Sequence, residues 1–217
     1  MNIELARENM VEQQVRTWDV LDQQVLDAMR TVPREMFVPA AYQALAFSDI
    51  SVPLAHGESM MPPRVEGRML QALDLKPEDR LLEIGTGTGY TAALAARLAG
   101  RVDSIEIHPD FVESARTHLQ TLGYQNVTIT CADAIQGFEP GARYEAIAFT
   151  GAMAALPKWV ASALTPGGRV FAVIGDADLQ TACLFRRGAG GQLIREGLFE
   201  TTLPFLAGAA PVHAFEF

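Results

Sequence analysis

Leu82-Glu83-Ile84-Gly85-Thr86-Gly87-Thr88-Gly89-Tyr90 is the stretch on which the architecture turns. The apolar run Arg80 to Ile84 has strand length and ends in three closely spaced glycines, and Tyr90 to Leu98 carries a helical pattern. Glycine at a strand-to-helix turn lets the backbone bend sharply and lets a ligand reach the main chain without meeting a Cβ. Beyond the turn the patterns alternate. Strands are expected at Val102 to Ile107, Val127 to Cys131, Ala146 to Phe149 and Arg169 to Ile174, with helices at Asp110 to Leu122 and Leu156 to Leu164. Such alternation predicts crossover units and a mostly parallel sheet with helices on both faces, an α/β fold. After Asp176, Gln180 to Arg187 and Leu193 to Leu203 flank Gly188, Gly190 and Gly191, which predicts an antiparallel hairpin closing one sheet edge.

Upstream of the glycines the texture is helical. Ile3, Ala6, Met10, Val11 and Val15 share one side of a 3.6-residue period, with Asn2 as the cap of a helix reaching about Thr17. A second helix starts at Asp22 and stops at Pro33; Pro39 opens a short third through Leu45. From Asp49 to Pro63 there is no sustained period, so an irregular loop with one short strand is expected, followed by a helix over Val65 to Leu73. The expected organisation is one domain over residues 1–217. Residues 1–63 form the N-terminal helices and a substrate-side loop, 64–175 a ligand-binding core, and 176–217 the antiparallel strands.

The chain has 217 residues, 49% hydrophobic and 20% charged, with a net charge of −9 that repels a phosphate backbone or an anionic lipid surface. No nucleic acid and no membrane are therefore expected as partners. Cys131 and Cys183 are too few for a disulfide framework and lack metal-ligand spacing, which points to a reducing, cytoplasmic setting and no metal. The first residues carry charge every few positions and no apolar core of signal length.

Two ligands fit the glycine loop. Glu83 followed by Gly85, Thr86, Gly87, Thr88 and Gly89 is the acidic, glycine-rich loop of S-adenosylmethionine methyltransferases, whereas Gly87-x-Gly89-x-x-Ala92 also satisfies a dinucleotide fingerprint and would make an NAD-dependent reductase. Glu83 inside the strand end favours the first, since a carboxylate there can reach the cofactor's amino group through water. So does the length of chain preceding the loop. Glu106, followed by Ile107, closes the next strand, where either ligand places an acid for its ribose; Asp133, followed by Ala134, sits where an adenine amino group needs an acceptor. Each acid also has a plainer reading: Glu83 as a buried structural carboxylate, Glu106 as a strand-end charge, Asp133 as the cap of a turn. The cysteines read as core thiols, and Tyr90 and Phe111 as packing residues.

Met10-Val11-Glu12-Gln13-Gln14-Val15-Arg16, Val25-Leu26-Asp27-Ala28-Met29 and Val32-Pro33-Arg34-Glu35-Met36-Phe37-Val38-Pro39 precede Pro53-Leu54-Ala55-His56-Gly57 and the glycine loop, and Leu122 to Val127 follows. Together these resemble the protein-L-isoaspartate O-methyltransferases over roughly residues 8–175. The resemblance implies a class I methyltransferase-like (Rossmann-like) core with an N-terminal helical extension, S-adenosylmethionine as donor and an isoaspartyl carboxylate as acceptor. It makes Gly85, Gly87 and Gly89 the cofactor loop, Glu106 the ribose acid, and Asp133 with Ala134 the adenine-side pair. One departure stands out. The family's His-Gly-x-Thr-Ile-Ser-x-Pro run is His56-Gly57-Glu58-Ser59-Met60-Met61-Pro62-Pro63 here, so Met61 stands in the place of the active-site serine and Ser59 in that of the threonine. A long apolar side chain at the transfer site predicts weakened isoaspartyl methylation and leaves Ser59 and His56 as the catalytic candidates. An ionised carboxylate acceptor needs no general base; a phenol, thiol or amine of a small molecule would, and His56 is placed for it. A non-catalytic cofactor-binding or partner-binding protein is the remaining alternative.

Overall fold

The computed structural model describes residues 2–211; the last six residues of the expected C-terminal segment lie outside them. The N-terminal helices begin with α1 (Ile3–Met10), where Asn2 Oδ1 accepts from Leu5 N at 3.1 Å. The helical path continues to Trp18, but as a π-helical turn over Val11–Val15 and a 3-10 turn over Arg16–Trp18, because the widened turn keeps Met10, Val11 and Val15 all in the core. Asp22 caps α2 (Gln23–Thr31), accepting from Gln24 N at 2.8 Å. The expected third helix is a 3-10 segment, Ala40–Leu45. The loop holds two short strands rather than one, β1 (Val52–Pro53) and β2 (Ser59–Met60), paired antiparallel with each other. Pro63 then opens α3 (Pro63–Leu73), a position where the missing N–H costs nothing.

The core alternates β3 (Arg80–Ile84), α4 (Tyr90–Ala96), β4 (Arg101–Glu106), α5 (Pro109–Thr121), β5 (Val127–Cys131), β6 (Tyr144–Met153), α6 (Val160–Ala163) and β7 (Leu164–Gly175), and ends in β8 (Gln180–Arg187) and β9 (Leu193–Glu200). One seven-stranded sheet has the order β5-β4-β3-β6-β7-β8-β9, parallel from β5 to β7 and antiparallel across β7-β8 and β8-β9. Side chains alternate between its faces. Ala146, Ala148 and Phe171 join the cluster containing the N-terminal helices, α3 and α4, while Ile147, Phe149 and Val170 join a second cluster with Val160 and Leu164.

Two strands depart from expectation, and both differences are bulges. Pairing of β6 with β7 jumps from Tyr144↔Leu164 to Ala146↔Arg169, and from Ala148↔Phe171 to Ala152↔Val173. The first jump absorbs Thr165, Pro166, Gly167 and Gly168, which lengthens β7 at the expense of the expected helix, reduced to the single turn α6. The second lets β6 continue past Phe149 and turns Thr150 out of the ladder.

Candidate active site

Chain order reverses between β3 and β6, so a crevice opens beyond their carboxyl ends, where open α/β sheets bind ligands. It encloses about 630 Å³ of empty space, part of it open to solvent. Gly85 and Gly87 form its floor; Glu106, Ile107, Asp133 and Ala134 line one side. Gly85, Gly87 and Gly89 have φ of 93°, 52° and 88°, the left-handed region that glycine enters without strain. A Cβ on Gly85 would meet Thr150 Oγ1 at 2.3 Å, since that hydroxyl donates to the carbonyls of Ile84 (3.0 Å) and Gly85 (2.6 Å).

Glu106 is buried, yet both its oxygens are held: Oε2 accepts from Gly87 N at 2.8 Å and Oε1 from His108 N at 2.9 Å. Each keeps a further lone pair for a hydroxyl. Asp133 Oδ1 accepts from Ile135 N and Gln136 N at 2.8 and 3.0 Å, so this acid caps a turn while lining the crevice. Thr86, Thr88, Ser59, Met61 and Glu66 line a smaller adjoining cavity.

Glu83 and Gly89 line neither cavity. Gly89 packs on Ala115. Glu83 is fully buried behind the loop: Ser104 Oγ donates to its Oε2, Thr86 Oγ1 lies 2.5 Å from Ser104 Oγ, and Oε1 has no partner among the described residues. Burial pushes its pKa up to about 8, with the charge of Glu106 adding to the effect. The carboxyl expected to reach the cofactor thus faces inward, where desolvation favours its neutral form.

Met61, in the serine's place, lines the smaller cavity together with Ser59 but not the crevice. It is only 3% exposed, packs in the N-terminal core cluster and lends its carbonyl to Arg34 at 2.9 Å. Ser59, in β2, reaches the crevice. It lines both cavities, and its buried Oγ has no hydrogen-bond partner among the described residues. His56 lies outside the lining, its Nε2 3.0 and 3.1 Å from the carboxylate oxygens of Asp110. That hydrogen bond holds Asp110 below the usual carboxylate range. Glu58 does line the crevice, and burial raises its pKa against the opposing field of His108, with Glu106 adding to the rise.

Some lining residues escape the sequence reading. Thr150 and Gly151 enter through the β6 bulge, and Pro204, Leu206 and Ala207 arrive because the chain after β9 returns to pair with the end of β6, Ala152 N donating to the Pro204 carbonyl at 2.8 Å. The small polar break Thr150-Gly151 in an apolar strand is the one local signal for the first pair.

A mostly parallel sheet with its glycine turn and strand-end acids around one crevice is a Rossmann-like ligand-binding core of the class I methyltransferase kind, and the comparisons with known proteins decide between the two ligands. The model of the protein-L-isoaspartate(D-aspartate) O-methyltransferase family matches residues 5–204, and the chain belongs to that family. Relatives named protein-L-isoaspartate O-methyltransferase include one from Herpetosiphon aurantiacus, 41% identical over 86% of this chain and 84% of its own, and one from Koribacter versatilis, 38% identical over 86% and 84%. A solved protein-L-isoaspartate O-methyltransferase superposes with a TM-score of 0.82 at 26% identity, covering 94% of this chain and 66% of that one. A Plasmodium falciparum structure described as this type of enzyme, in complex with S-adenosyl-L-homocysteine, shares the fold with a TM-score of 0.81 at 20% identity, over 92% and 97% of the two chains. The protein is an S-adenosylmethionine-dependent methyltransferase. Among the described residues no helix is long and apolar enough to cross a membrane.

Proposed function

We propose that the protein esterifies the side-chain carboxylate of isoaspartyl residues in peptides. The observation that carries this reading is the buried Ser59 hydroxyl in the wall of the crevice, which has no hydrogen-bond partner among the described residues and is positioned to serve an acceptor carboxylate. The crevice also fits the donor. Gly85 and Gly87 leave the main chain uncovered, Glu106 keeps lone pairs for a ribose diol, and Ile107, Ala134 and Asp133 offer two apolar surfaces and an acceptor to an adenine. S-adenosylmethionine, when bound, supplies a methyl group on a sulfonium sulfur. The residues of this chain orient the acceptor and exclude water, and no general base is required because a carboxylate of pKa ~4 is already ionised at neutral pH.

All three segments, 1–63, 64–175 and 176–217, contribute lining residues, which supports reading them as one functional domain. The two free cysteines suit a cytoplasmic setting. Ser59→Ala is expected to raise KM for an isoaspartyl peptide about two- to tenfold, the worth of one hydrogen bond of ~0.5–1.5 kcal/mol, with S-adenosylhomocysteine affinity unchanged. An unchanged KM would remove Ser59 from the acceptor site.

A further inference from the structure

Residues 52–60 form a small arm outside the main sheet. β1 and β2 pair only with each other, and Leu54 N closes the turn on the Glu58 carbonyl at 2.8 Å. At its tip His56 adopts φ 60° and ψ 12°, left-handed backbone that costs energy in any residue but glycine. Its ring reaches away from the arm. It stacks on His108 with centroids 4.0 Å apart and planes 4° from parallel, and both rings meet Phe111 edge-on at 5.3 and 5.4 Å. Its Nε2 meets Asp110 at 3.0 Å.

Every one of these partners lies in the turn from β4 to α5 or the first turn of α5. That turn is one wall of the crevice, through Glu106, His108 and Phe111, while Leu54, Glu58 and Ser59 of the arm make another. A strained residue held by contacts that cross between two walls of a binding site is strain fixed by its surroundings and put to use. The stacked rings contribute more than the ion pair, whose side chains are 40% and 58% exposed.

We propose that His56 is a positioning residue, the pin of a latch that holds the arm against the β4–α5 turn, so that the bound adenosyl ligand is retained and Ser59 is kept in place. The proposal rests on the reading of the crevice as the cofactor site. It gives His56 a role through its contacts instead of as a base.

The test is the dissociation rate of S-adenosylhomocysteine from the full chain, followed by stopped-flow fluorescence of Trp159, whose Nε1 donates to the Ala134 carbonyl at 2.9 Å beside the adenine side of the crevice. His56→Gly, which relieves the backbone strain, is expected to leave Tm unchanged or higher while release quickens about five- to tenfold, as the loss of a ring stack and a weak ion pair implies. His108→Ala, which leaves the arm's backbone alone, should quicken release similarly, and His108→Phe should restore slow release by returning a ring face to His56. Release unchanged in both His56→Gly and His108→Ala overturns the latch. So does a fall in Tm with no change in release, which marks the stack as structural only. Failure of the unaltered protein to bind S-adenosylhomocysteine would instead overturn the cofactor-site reading beneath it.

Discussion

Arg34→Met is expected to cost about 3 to 5 kcal/mol of folding stability, the usual consequence of removing one partner from a buried ion pair. Arg34 is completely buried. Its guanidinium holds Glu66 through Nη1, the Met61 carbonyl through Nη2 at 2.9 Å and the Ala46 carbonyl through Nε at 3.0 Å, and lies over the Tyr90 ring at 4.7 Å. Methionine fills much of the volume but leaves two carbonyls and a buried carboxyl without their donor. Burial already raises Glu66 to about 7 against the pull of Arg34.

The pH dependence has a definite sign. With its folded pKa above the ordinary value of 4.5, Glu66 lowers stability as pH rises from about 4.5 to about 7, and its contribution levels off above that. Without Arg34 the folded value moves up again and the decline continues past pH 7. Urea unfolding at pH 6 and pH 8.5 should therefore show a larger deficit for Arg34→Met at the higher pH. A loss below about 1 kcal/mol, the same at both pH values, would mean that the pair contributes no more than a surface ion pair does.

Gly85→Ala is expected to reduce S-adenosylhomocysteine affinity about a hundredfold by calorimetry. The added Cβ meets Thr150 Oγ1 at 2.3 Å and Leu206 Cδ2 at 3.1 Å on a residue whose φ is 93°. Either Thr150 leaves the carbonyls of Ile84 and Gly85 or the loop moves, at ~1–3 kcal/mol for the overpacking alone, with the left-handed backbone adding to it. Thr150→Ala in the same chain removes the nearest atom and should recover part of the affinity, the backbone term remaining. Full affinity in Gly85→Ala would show that the loop does not support the cofactor.

What the sequence discloses and what it hides divide along physical lines. The glycine turn, the cap residues Asn2 and Asp22 and the parallel-sheet alternation are local signals, and the structure has all of them in place. The β6 bulge that presents Thr150 and the return of Pro204 to Ala207 over the crevice arise from strand pairing between distant residues, which no local period encodes. Ser59 and Met61 show the same limit at closer range. Motif alignment puts Met61 in the active-site serine's place, but Arg34 anchors the Met61 carbonyl and the side chain packs in the core cluster, while Ser59 lines the crevice. Glu83 is legible as an unusual acid with either a cofactor-facing or a buried structural reading, and the sequence does not choose between them because its orientation depends on Ser104 from the neighbouring strand.

The central claim is most directly tested with two synthetic peptides of one sequence, differing only in whether a single residue is aspartyl or isoaspartyl, incubated with the protein and S-adenosylmethionine labelled in the methyl group. The structure leads us to expect base-labile label, as a methyl ester, on the isoaspartyl peptide and almost none on the aspartyl one. Equal labelling of both peptides, or of neither while S-adenosylhomocysteine still binds, would contradict it.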